Sequence, residues 1–251
     1  MTVVWLYSLV SVFVVSLISL IGLLTLALKE ENLKKILLYL VSFSVGGLFG
    51  DAFIHLIPEA AEQIDFKLHG PIYIILGIAV SFIVEKFLQW RHCHIPTSKE
   101  HPHTFAYMNL YGDVVHNFID GLIIGGSYLA SVPLGIATTL AVVFHEMPQE
   151  IGDFGVLIYG GFSKSRAVLV NFATALTAVF GTIVALSIES LIQGTAILFL
   201  LSFAAGNFIY IAGSDLIPEL HKEEPEPLKS ALQLTAFILG VLILFLLVFL
   251  E

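Results

Sequence analysis

The chain has 251 residues, 57% of them hydrophobic and only 12% charged, and its mean hydropathy is +0.94. A soluble domain carries roughly 25% charged residues, so this composition excludes an ordinary soluble fold and predicts an all-α protein that crosses a lipid bilayer many times. The formal charge of -9 is not a nucleic-acid signature, and no nucleic-acid partner is expected; the single Cys93 excludes an intrachain disulfide.

Apolar runs between polar breaks predict eight spans within one transmembrane domain, 1–251. They lie at about 4–28, 34–57, 70–90, 105–129, 133–159, 165–188, 193–217 and 229–250. Met1 to Leu28 has no basic n-region and its apolar run is long, so it reads as an uncleaved first helix. An even number of spans puts both termini on one side. Lys29, Lys34, Lys35, Lys86, Arg91, Lys99, Lys164, Arg166, Lys222 and Lys229 flank the breaks after spans 1, 3, 5 and 7, and only Lys67 lies opposite. By the positive-inside rule those breaks are cytoplasmic and the termini face out. The expected location is the cell membrane.

Span 2 ends in His55-Leu56-Ile57-Pro58-Glu59, and span 7 ends in Asp215-Leu216-Ile217-Pro218-Glu219. An odd offset of five helices makes them run in opposite directions. That is the signature of an inverted repeat of spans 1–3 and 6–8 around a central pair, a 3+2+3 arrangement. The break after span 3, residues 91–104, holds His92, His94, His101 and His103, four of the nine histidines. Such a tract suits loose metal binding.

The chemistry concentrates on spans 4 and 5. At about 100° per residue, Asp113, His116, Asn117 and Asp120 fall on one face of span 4. His145, Glu146, Gln149, Glu150 and Asp153 share a face of span 5. A single ionised group at the bilayer centre costs roughly 2.5–3.5 kcal/mol, and neither span carries a Lys or Arg to compensate. A bound divalent cation removes the difficulty. Imidazole, carboxylate and amide oxygen suit zinc and similar first-row ions, and no thiolate is near, which argues against a closed structural zinc site. The donors suffice for two ions side by side. Pro148 lacks an amide hydrogen, so a kink and a freed Phe144 carbonyl are expected in span 5. Asp51, His55, Glu59 and Glu62 share a face of span 2 and would form a way in. Asn207, Ser214, Asp215 and Glu219 on span 7 would form a way out.

These residues resemble the ZIP (ZRT/IRT-like) transporters of zinc and other divalent metals. The resemblance rests on the eight spans, the His-bearing loop, the string HNFIDG at 116–121 and the string HEMPQEIGD at 145–153. The second string is close to the HExPHExGD signature of the LIV subfamily. GDAFIHLIPEA at 50–60 and SDLIPEL at 214–220 also look like that subfamily. The resemblance implies metal import toward the cytosol by alternating access through a binuclear site. Its ligands would be His116, Asn117 and Asp120 with His145, Glu146 and Gln149. Zinc would be the substrate, with iron, manganese and cadmium as others, without an organic cofactor; family members are often homodimers. The chain departs from the signature at Gln149, where the family has His, and an amide oxygen is a weaker, neutral ligand.

An intramembrane zinc metalloprotease is the main rival. It needs HExxH, two His one helical turn apart, and Gln149 stands where the second His must be, so no enzymatic activity is expected. A metal exporter and a non-transporting metal-sensing scaffold share the same residues and differ only in flux.

Overall fold

Every element of the computed structural model, which describes residues 2–23, 30–92, 103–188, 194–222 and 226–247, is helical, with no strand among the described residues. In chain order, α1 is Thr2–Ile18, extended by a 3₁₀ turn at Ser19–Gly22. α2 runs through Glu30–Gly50, a π-helical turn Asp51–Leu56, and Ile57–Ala61. α3 is Phe66–His92, α4 Thr104–Ala130 and α5 Val132–Tyr159. α6 comprises Lys164–Ala175 and Thr177–Ser187. α7 comprises Gly194–Tyr210, a second π-helical turn Ile211–Leu216, and Ile217–Leu220. α8 is Pro227–Leu247.

Among the described residues, 6 helices are long and apolar enough to cross a membrane. α4 and α5 fall outside that set, and they carry most of the buried acids: Asp113, Asp120, Glu146, Glu150 and Asp153, with Asp51 on α2 and Asp215 on α7. Ionisable groups must face protein rather than hydrocarbon, and on α4 and α5 the acids are buried while Val114, Leu134, Ile136, Leu140 and Ile151 are exposed. α3 and α8 form the outer wall, with Ile72, Ile75, Phe82, Leu234 and Ile238 exposed. α2, α4, α5 and α7 hold the interior, where Phe154, Phe208, Met108, Ile119 and Leu201 are fully buried.

Three helix pairs approach closely through reciprocal glycines. On α2 and α8, a Cβ at Gly46 would collide with the Phe237 carbonyl and one at Gly240 with that of Phe43. On α3 and α7, Gly77 meets the Phe203 carbonyl and Gly206 that of Ile74. On α4 and α6, Gly121 meets the Ala178 carbonyl and Gly181 that of Phe118. Small residues let membrane helices come together where apolar burial alone gives no drive. An inversion exchanging spans 1–3 with 6–8 carries α2 onto α7 and α8 onto α3, so it carries the first seam onto the second.

The two π-helical turns obey the same inversion. Each ends two residues before a proline, Pro58 or Pro218. Proline cannot donate to the carbonyl four residues back, Ile54 or Ser214, and the helix widens there. Sequence alone placed the expected distortion at Pro148 instead. α5 runs unbroken through Pro148.

Candidate metal site

One residue joins α4 to α5. Ser131 is extended (φ -165°, ψ 153°). Its N–H donates to the Ser127 carbonyl (3.0 Å), closing α4, and its Oγ accepts the Leu134 N–H (3.2 Å), opening α5. Pro133 occupies the first turn of α5, where a missing N–H loses nothing. The resulting hairpin keeps its register along its length. Thr138 Oγ1 donates to Ser127 Oγ (3.0 Å) near the turn, and Asn109 Nδ2 donates to Asp153 Oδ1 (3.0 Å) near the other end. The predicted ligands of both helices lie between, or at, these two contacts.

At the middle, His116 of α4 is 1% exposed. Its Nε2 lies 3.4 Å from Asp120 Oδ2 and 3.4 Å from Glu146 Oε1 of α5. One donor atom from each of His116, Asp120 and Glu146 comes within 4.8 Å of the others, the one such trio among the described residues. These separations are long for a hydrogen bond but suit a shared ion. Two ligands each about 2.0–2.2 Å from a tetrahedral zinc stand about 3.3–3.6 Å apart. On the other side of the ring, Nδ1 faces Asp51 Oδ2 of the α2 π-helical turn at 3.5 Å. Phe208 of α7 packs against the imidazole, with centroids 4.9 Å apart. Three buried carboxylates therefore surround one imidazole, and two +1 equivalents are needed to balance Asp120 and Glu146 alone.

The remaining predicted residues divide by location. Asn117 is buried and turns its Nδ2 to Asp113, donating to the carbonyl (3.1 Å) and to Oδ1 (2.7 Å). Gln149 is half-buried, and its Nε2 lacks a hydrogen-bond partner. Asp113, Glu150 and Asp153 are buried together on the hairpin away from the Ser131 turn. The side chains of His145 and His92, and all of His94 and His101, lie outside the described residues. His103 is exposed; its N–H donates to the Gly160 carbonyl (2.8 Å) and its ring stacks on Phe105, so it ties the start of α4 to the end of α5.

On α2, His55 Nε2 makes a 3.0 Å hydrogen bond with the Leu244 carbonyl of α8, while Glu59 and Glu62 are exposed. On α7, Asp215 is buried with Oδ2 unpartnered, and Glu219 pairs with Lys222. Asn207, expected to line the way out, accepts the Ser81 hydroxyl of α3 at 2.7 Å.

Sequence reasoning passed over Asn109, Asn171 and Glu85. Asn171 of α6 donates to Glu150, and Glu85 of α3 accepts the Tyr210 hydroxyl. A polar residue inside an otherwise apolar span was the signal available for each.

A family model described as ZIP Zinc transporter matches residues 2–105 and 98–248. Zinc transporter zipt-7.1 of Caenorhabditis briggsae is 33% identical over 278 residues, covering 86% of this chain and 70% of that protein. Zinc transporter SLC39A7 of Homo sapiens is 30% identical over 305 residues, covering 87% of this chain and 65% of that protein. Zinc transporter ZIP13 of Pongo abelii is 31% identical over 263 residues, covering 96% and 77% respectively.

Proposed function

Because the chain belongs to the ZIP zinc transporter family, we propose that the His116 pocket is where its substrate, a divalent metal ion with zinc first in preference, rests while crossing the membrane. The protein is a multi-pass membrane transporter of divalent metal and not an enzyme. The observation that carries the reading is the buried trio of His116, Asp120 and Glu146 at tetrahedral-edge spacing.

The residues divide the work. Asp120 and Glu146 supply the two negative charges that match a doubly charged ion, in a place where no Lys or Arg of α4 or α5 competes. His116 supplies a neutral nitrogen through Nε2. Asp51 Oδ2 faces the opposite ring nitrogen at 3.5 Å, and its charge favours the proton on that nitrogen, which makes Nε2 the ligand atom. Asn117 and Gln149, with His145, complete the donor set by resemblance. Mixed nitrogen and oxygen donors bind zinc without closing it in thiolate, so the ion can leave again.

Import toward the cytosol and a location in the cell membrane belong to the same reading. Import rests on the resemblance, and the basic residues gathered at one set of helix ends say only which side is the cytosol. Homodimer formation rests on the resemblance alone.

The test is zinc uptake into liposomes holding the purified chain. His116→Ala and Asp120→Ala should each reduce uptake at least tenfold, with unchanged elution on gel filtration. Uptake at the normal rate in either folded variant would refute the pocket as the transport site.

A further inference from the structure

Asn117 and Gln149 are the two neutral amides of the donor set, and an amide has a right and a wrong end for a cation. Its oxygen is a ligand, while its NH2 is a pair of donors that repels positive charge. The two ends are nearly alike in size and shape. Only the hydrogen-bonding surroundings can choose between them.

For Asn117 the choice is made one helical turn earlier on α4. Asn117 and Asp113 are 1% and 2% exposed. Asn117 Nδ2 donates to Asp113 Oδ1 at 2.7 Å and to the Asp113 main-chain carbonyl at 3.1 Å. A main-chain carbonyl has no proton to give, so the end that meets it is the NH2. That carbonyl also stands opposite the N–H of Asn117 in the α-helical ladder, so its bond to the side chain is a shared one. The bond to Oδ1 is shorter and charge-assisted, and it carries the hold. Gln149 differs, since its Nε2 is buried without a hydrogen-bond partner.

We propose that Asp113 is a positioning residue: it takes the NH2 of Asn117, so that the amide oxygen alone is left for the metal. The role rests on the reading of the His116 pocket and its donors given above. Asp113 then acts on the ion through Asn117, as Asp51 acts through His116. Without the carboxylate the amide is free to turn over and aim its donors at the cation. One of the two amides is thus oriented by an acid in its own helix, and the other is not.

The test is zinc binding to the purified full-length protein by titration calorimetry, with the thermal midpoint of the metal-free protein as the check on folding. Asp113→Leu keeps the bulk and removes the acceptor. It should weaken binding about 10–100-fold, the usual cost of losing a ligand's outer partner. Adding Asn117→Asp should recover about tenfold or more of that loss, because a carboxylate offers oxygen whichever way it turns. With Asp113 kept, Asn117→Asp should gain far less, since two carboxylates then crowd one contact. A purely structural Asp113 would lower the midpoint and give no such rescue. Native affinity in folded Asp113→Leu overturns the proposal, as does an equal gain from Asn117→Asp with and without Asp113→Leu. Should Asp113→Leu fail to fold, Asp113→Asn is compared with the exchange of both residues, Asp113→Asn with Asn117→Asp, which keeps the net charge and a donor facing an acceptor. The exchange should bind zinc about tenfold more tightly than Asp113→Asn alone, and equal affinity overturns the proposal. Failure of the His116 pocket itself shows differently, as zinc uptake that survives His116→Ala.

Discussion

The carboxylate of Asp51 stands across the His116 ring from Asp120 and Glu146, so it reaches the ion only through the imidazole. Asp51→Asn keeps the shape and removes the charge. It should weaken zinc binding about 10–100-fold, the usual cost of losing a ligand's outer partner. Titration calorimetry on the purified variant checks this, and affinity equal to wild type would show that Asp51 does not hold the ring. Helical periodicity alone put His116, Asp120 and Glu146 on inward faces, because four-residue spacing on one helix needs no tertiary knowledge. The pairing of Asp51 with His116 was not legible. Periodicity says which face of α2 is polar but not which neighbour it meets, and so Asp51 read as part of a way in. Asn109 and Asn171 escaped for a related reason: an amide in an apolar span marks a polar spot, but its partner acid is known only from the packing.

Helix extents were legible because lipid leaves few alternatives. The predicted 105–129 and 133–159 correspond to the observed Thr104–Ala130 and Val132–Tyr159. The local widening before Pro58 and Pro218 was not, since proline's effect depends on whether the freed carbonyl finds room, and α5 absorbs Pro148 without a break. The seams offer a sharper test at this scale. Gly46 and Gly47 are adjacent on α2, yet a methyl at Gly46 would strike the Phe237 backbone while one at Gly47 meets nothing within 4 Å. Gly46→Ala should push α8 away and lower the thermal midpoint in detergent by several degrees. Gly47→Ala should leave it unchanged or raise it, by up to about 1 kcal/mol of helix propensity. Equal midpoints for the two variants would show that the seam contributes nothing to stability.

Across the whole molecule, the charge pattern and the repeat make one statement. Ten basic residues gather at the helix ends that an eight-span reading puts in the cytosol, against Lys67 on the other side. An epitope added before Thr2 should label on intact cells, and one inserted at Gly161, in the turn between α5 and α6, only after permeabilisation. Labelling of the Gly161 epitope on intact cells would overturn this topology. What the five-residue echo made legible is a shared local feature: both copies begin in a π-helical turn that ends two residues before a proline.

The lone Ser131 between α4 and α5 has a mechanical corollary. With so short a tether, and with contacts fastening both its ends, the pair behaves as a closed pincer. In an alternating-access cycle of the kind the resemblance implies, Asp120 and Glu146 should then keep their mutual distance. Recognition of the metal then stays constant through the cycle, while the grip of Asp51 and Phe208, borne on other helices, is what a sliding pincer would shed.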